Sequence, residues 1–146
     1  MKSGVVMIAC LCMCTMIVVS CGKKEEKVGK LSITEKAFTL EKDGNYSESL
    51  NVNGKVKNIG PYDVRNVVIT GDCKSCGESM ITGQWFATKD LKTDEQKAVI
   101  HYLAPGAEEE FSFKDIAYYM NKSAAAPENL PEQLDVFVES FETVQE

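Results

Sequence analysis

The side chains best equipped for chemistry in this 146-residue chain are its six cysteines, and they fall into two groups. Cys73 and Cys76 are separated by two residues within Gly71-Asp-Cys-Lys-Ser-Cys-Gly-Glu-Ser79, a small-residue segment of loop composition. At that spacing a pair can close a disulfide, cycle as a thiol-redox centre, or supply two of the four ligands of a structural zinc. Redox cycling asks for the first cysteine at a helix N-terminus in a βαβ frame, whereas Cys73 follows a strand-like run and precedes Gly77 and Ser79. Zinc asks for four Cys or His ligands, and the single histidine, His101, stands far along the chain. In an oxidising compartment the expected state is therefore a disulfide. It closes a ring of four residues and contributes about 2 kcal/mol, enough to fix a loop but not to hold a fold. A thiol-redox or metal-handling role for Cys73 and Cys76 is the alternative.

The remaining candidates carry less. His101 lies in the strand-like run Ala98-Val-Ile-His-Tyr-Leu103, on a wet face or at an edge, with no nucleophile and orienting acid placed beside it. Glu108-Glu109-Glu110 lacks the Asp/Asn spacing and central glycine of a calcium loop and reads as a solvated strand entrance. No catalytic set, metal site or cofactor is expected from these residues, and the chain reads as a non-enzyme. From Ala107 to Glu146 ten acidic residues face only Lys114 and Lys122, and the net charge is −6. Such an acidic half repels nucleic acid, which is excluded as a partner.

The other four cysteines sit near the start of the chain. Lys2 precedes an apolar run from Val5 to Val19 that contains Cys10, Cys12 and Cys14, and Val18-Val19-Ser20 leads into Cys21. The run of roughly 15 residues is short of the ~20 that span a bilayer. With an aliphatic residue three before the cysteine and a small one just before it, this segment resembles the lipobox of bacterial lipoproteins. The resemblance implies export, attachment of diacylglycerol to the Cys21 thiol, cleavage before Cys21 and acylation of the new amino terminus. Residues 1–20 are then a signal peptide, and the protein is held at the membrane through its lipid in the bacterial cell envelope. The outer membrane is favoured over the inner. Residues 21–30, charged and without apolar periodicity, read as a flexible tether.

The elements that must position everything else begin at Leu31. Leu50 to Thr70 reads as two antiparallel strands joined by a tight turn at Ile59-Gly-Pro-Tyr-Asp63, with Leu50, Val52 and Val56 on one face and Asn51, Asn53, Lys55 and Lys57 on the other. Further strands are expected over Leu31–Leu40, Met80–Lys89, Lys97–Leu103, Glu110–Lys114 and Leu134–Val144. Ala104-Pro-Gly-Ala107 is a type II turn by composition. Asp115 to Ser123 has room for a short helix before Pro127 and Pro131. Trp85 is expected in the core. If Trp85, Leu134, Val136 and Val138 point inward, then Phe86, Phe137 and Phe141 point outward and form an apolar patch suited to a protein or glycan partner. Alternatively the 115–133 connection, with Tyr118, Tyr119 and Met120, covers them.

About seven short strands and no long amphipathic helix define an all-β chain with a single sandwich domain over 31–146. Gly54-Lys-Val-Lys-Asn58, Val64-Arg-Asn-Val-Val-Ile69, Leu103-Ala-Pro-Gly106 and Glu110-Phe-Ser-Phe113 follow one another as in the FxLYD-type bacterial immunoglobulin-like domains, which the chain resembles. That resemblance implies an immunoglobulin-like, fibronectin-III-like β-sandwich in an extracytoplasmic setting and brings no catalytic residues. The functional expectation is a lipid-anchored binding or scaffold module that contacts another envelope protein or a glycan.

Overall fold

A computed structural model describes residues 28–89, 92–123 and 125–144. Cys21, the cysteines before it, the 1–20 segment and most of the 21–30 tether lie outside the described residues. The strands are β1 (Leu31–Lys42), β2 (Ser47–Asn58), β3 (Val64–Cys73), β4 (Trp85–Phe86), β5 (Lys97–Leu103), β6 (Glu108–Met120) and β7 (Leu134–Thr143). One turn of 3-10 helix spans Asp94–Gln96. The strands form two antiparallel sheets, β1-β2-β6-β4 and β5-β3-β7. Between them lies the core, built on Leu50, Val56, Val64, Ile69, Leu103 and Ile116. This is the seven-stranded all-β sandwich that the alternating apolar pattern demands.

Immunoglobulin constant domains arrange their strands as A-B-E-D and C-F-G. The larger sheet follows that order with β6 in the place of E, whereas the smaller one sets β3 between β5 and β7 and has no strand after β7 among the described residues. After the β1–β2 hairpin every connection switches sheets.

The expected hairpin of β2 and β3 is therefore corrected: β2 pairs with β1 and β6, and β3 pairs with β5 and β7. Their apolar rows face the same interior from opposite sheets, so residues 59–63 form a corner instead of a hairpin turn. Asn58 holds that corner. Fully buried, it donates from Nδ2 to the carbonyls of Tyr62 and Leu103 and accepts the Gly60 N–H at Oδ1, at 2.8 to 3.0 Å. The entering chain is tied to the same place, since the Lys30 carbonyl accepts from both Ile59 and Gly60. Gly29 is seated deeper still: its N–H donates to Thr143 Oγ1, and a Cβ there would lie 2.5 Å from Val64 Cγ1 and 2.9 Å from Phe141 Cε2. The packed domain thus starts at Gly29, two residues earlier than the sequence indicates.

Two further expectations are corrected. No helix forms in 115–123, because β6 continues to Met120 through a bulge in which one residue of β2, Asn51, faces three of β6. Asp115 takes φ 62° there, its N–H held by Asn51 Oδ1 and its carbonyl by Gln96 Nε2. The bulge buries Ile116 and Ala117 side by side, which breaks the period of two and imitates a helical face. The Met80–Lys89 strand shrinks to Trp85–Phe86, preceded by an exposed turn. The Ala104–Ala107 turn forms as expected, with Gly106 at φ 78° and the Ala107 N–H on the Ala104 carbonyl.

Candidate functional site

The strand directions sort the connections into two ends. Gly29–Lys30, the 59–63 corner, the 104–107 turn and Val144, bonded to Asp63, share one end. The β1–β2 loop, the Cys73–Trp85 loop and the β6–β7 connection share the other. A strand of about 12 residues at ~3.3 Å each separates the ends by about 40 Å.

At the second end β3 finishes on Cys73, bonded to Cys76, with Cα atoms 5.4 Å apart and both residues buried. The four-residue ring is a junction. The Lys74 N–H donates to the Gln133 carbonyl, Lys74 Nζ pairs with Asp135 at 2.9 Å, and Ser75 Oγ accepts the Gln133 N–H. Gly77 then exchanges backbone hydrogen bonds with Trp85 and Ala87. The disulfide thereby ties the end of β3 to β4 and to the approach to β7. Lys74 holds the Asp135 carboxyl below its ordinary range by hydrogen bonding, and Lys89 does the same for Glu78.

Beyond the ring the chain turns at Ile81–Gln84, where Gln84 N–H meets the Ile81 carbonyl and Gly83, at φ 79°, donates to the Met120 carbonyl. This geometry suits glycine at the third turn position. It leaves Met80 61% and Ile81 50% exposed and brings Thr82 near an exposed Tyr46. A hollow of about 260 Å³ lies there, lined by Tyr46, Thr82, Met120, Asn121 and Lys122. Trp85 packs on the core and against Tyr119, ring centroids 5.3 Å apart, and its indole N–H donates to the Asn129 carbonyl next to an exposed Leu130.

The patch expected from Phe86, Phe137 and Phe141 does not form. Phe86 is only 8% exposed, stacked on Tyr118 in the larger sheet, while the other two are half-buried on β7 in the smaller one. Phe141 packs against the core because β7 advances two residues from Val138 to Ser140 while β3 advances one. One extra residue reverses the faces of all that follow. His101 is exposed on β5, far from the cysteine ring. Among the described residues no three His, Cys, Asp or Glu side chains are grouped to hold a metal ion.

Glu108 and Glu110 face Lys57 and Lys55 across the β2–β6 ladder, so part of the acidic run is matched by cations in its own sheet. Lys55 has its pKa raised, chiefly by its hydrogen bond to Glu35 and further by the charges of Glu108 and Glu110. Met80 and Ile81 were the residues missed in the sequence. Their signal was two large apolar residues directly before Thr82-Gly83, read as strand when the glycine marked a turn.

The chain matches no protein-family model, no curated protein and no solved structure. No helix among the described residues is long and apolar enough to cross a membrane.

Proposed function

We propose that this protein is a non-catalytic, lipid-anchored binding or scaffold module of the bacterial cell envelope, held at the membrane through Cys21 and presenting its far end to another envelope component. One observation carries the reading. The chain enters the domain at Gly29, and the disulfide-fastened loop exposing Met80 and Ile81 lies at the opposite end. A lipid on Cys21 therefore leaves that loop facing away from the membrane, the outer membrane being the favoured site. The exposed aliphatic side chains of Met80 and Ile81, on the loop whose Thr82 lines the shallow hollow, suit an apolar contact with a protein surface. The thiol-redox alternative is disfavoured, because both sulfur-bearing residues are buried and an attacking thiolate needs access.

Two measurements test the reading. Palmitate incorporation is expected in the natural protein and lost in Cys21→Ala; labelling of the variant removes the anchor. In envelope membranes a photocrosslinker at Ile81 is expected to give a discrete adduct that Met80→Asp abolishes, while one at Val99, equally apolar and exposed on the flat of β5, gives none. Equal adducts from both positions would falsify the assignment of the binding end.

A further inference from the structure

The two sides of the sandwich, where sheet edges meet, are closed differently. On one side β5 runs into β6 through the Ala104–Ala107 turn, and the Gln96 side-chain amide reaches the Asp115 carbonyl at 2.8 Å. On the other, β1 and β7 lie side by side with no ladder between them, β1 being paired only to β2 and β7 only to β3. Gly29 plugs this gap where the chain enters. Farther along it stays open as a groove of about 280 Å³, lined by Ile33, Thr34, Glu35, Lys36 and Val136. Cover is thin here: β1 contains no buried residue and β7 contains only Val136.

The two edges are not equally receptive to another strand. β1 has a bulge at Thr34, and Lys36, opposite Gly54, falls on its core-facing side. A bulge and an inward charge are the devices that keep an edge from pairing. β7 from Leu134 to Val138 has neither bulge, proline nor lysine, and Val136, Phe137 and Val138 favour extended backbone. Its neighbouring acids are drawn into its own sheet, Asp135 to Lys74 and Glu139 to Lys97. Lys36 forms no ion pair among the described residues, yet lies close enough for its charge to be felt at Asp135. Apart from the Val136 N–H, which the Asp135 carboxylate holds, β7 has no main-chain partner on its groove side, so the groove offers main-chain groups, the apolar side chains of Ile33 and Val136, and one free cation.

We infer that the Leu134–Val138 edge docks an extended peptide segment of a partner polypeptide, which joins the three-stranded sheet as a fourth strand in the groove between β7 and β1. Main-chain hydrogen bonds to β7 supply the affinity, and alternate side chains supply the selection: apolar groups toward Ile33 and Val136, and a carboxylate for Lys36. The docked strand occupies the place that follows F in an A-B-E-D and C-F-G sandwich, which this chain leaves empty among its described residues. This inference depends on neither the lipid anchor nor the Met80–Ile81 surface.

The test uses the full chain in detergent micelles and a capped heptapeptide, Thr-Val-Thr-Val-Thr-Asp-Thr, which puts both valines and the aspartate on one face. Saturating peptide is expected to slow amide exchange in residues 134–138 by about tenfold or more. Of two versions N-methylated on odd or even residues, one keeps this effect and the other loses it, since a strand pairs through alternate N–H groups. The exposed substitution Lys36→Glu is expected to weaken binding by about tenfold and to transfer the preference to the peptide with Lys in place of Asp. Unchanged exchange at millimolar peptide, or equal effects of the two N-methylated versions, overturns the inference. Protection that rises with protein concentration in the absence of peptide also overturns it, by giving the edge to a second copy.

Discussion

The two ends of the sandwich are fastened by different chemistry. Where the chain enters, closure is by buried hydrogen bonds that reach far along the sequence: Asn58 binds the 59–63 corner to Leu103, the Lys30 carbonyl takes two N–H groups from that corner, and Val144 returns to Asp63. At the far end closure is covalent and superficial, a disulfide ring of four residues whose links to Gln133 and Asp135 and whose ion pairs are made at the surface. The first arrangement leaves no polar group of Asn58 to solvent and specifies which strands meet. The second adds only Cys73 and Cys76 to the core and puts Met80 and Ile81 into water. Fastening at the surface is what a contact loop requires, because a loop held outside the core can vary without unmaking the sheets.

The sharpest way to break this comparison is to remove the amide. Asn58→Leu takes the amide away from the buried Tyr62 and Leu103 carbonyls and leaves the Gly60 N–H only its bond to Lys30, and is expected to destabilise the domain by about 3 kcal/mol. Urea midpoints at constant slope measure it, and a loss below about 1 kcal/mol would mean the corner closes without Asn58. Trp85→Ala tests one of the far end's large anchors, the other being Phe86. A fully buried tryptophan costs about 3–5 kcal/mol to truncate, and for this half-buried ring packed against the core about 2 kcal/mol is expected. Native fluorescence partly accessible to iodide is the companion observation; complete protection would move Trp85 into the core proper.

How far these ends could be read from the sequence depends on whether the signal was local. The alternation of Leu50, Val52 and Val56, the Pro105-Gly106 turn and the four-residue cysteine ring are local, and all three appear as read. Whether β2 returns beside itself or crosses to the opposite sheet depends on the partner of Asn58, 45 positions away at Leu103, and no spacing reveals it. The bulges are equally silent. Asp115 looks helical because its bulge buries adjacent residues, and the extra residue between Val138 and Ser140 turns Phe141 inward although the alternation directs it outward. Part of the candidate site was legible in Cys73 and Cys76. The exposed pair Met80 and Ile81 was hidden, since apolar residues before a turn read equally well as the end of a strand.

Removing the ring sharpens the comparison from the other side. Cys73→Ser with Cys76→Ser is expected to cost no more than about 2 kcal/mol, less than Asn58→Leu, and to leave the sheets intact. Amide exchange should quicken in residues 74–89 and stay unchanged at Ile59 and Gly60. A double variant that fails to fold would show that the ring organises distant strands, and the two ends would then be fastened alike.

Acid should produce the smallest effect and the most selective one. Lys74 and Lys89 hold the carboxyls of Asp135 and Glu78 below their ordinary values, each through a hydrogen bond. A depressed folded-state pKa means that the contribution to stability is complete above the unfolded value, near ~4, and is lost as pH falls through the folded one. Both pairs are exposed, so the loss is slight and screened by salt. It is nevertheless local to each pair, and one such pair, Arg65–Glu142, lies toward the entry end. Below about pH 4, exchange corrected for its intrinsic pH dependence should rise in residues 74–89. Arg65–Glu142 on the β3–β7 ladder loosens in the same range, since Asn66 and Arg65 lower the Glu142 pKa, and it reports at those residues. The Asn58 amide does not titrate, so the exchange of Ile59 and Gly60 should stay level through this window. Acceleration at Ile59 and Gly60 before residues 74–89 would place the acid-labile contacts at the entry end and reverse the assignment of the two fastenings.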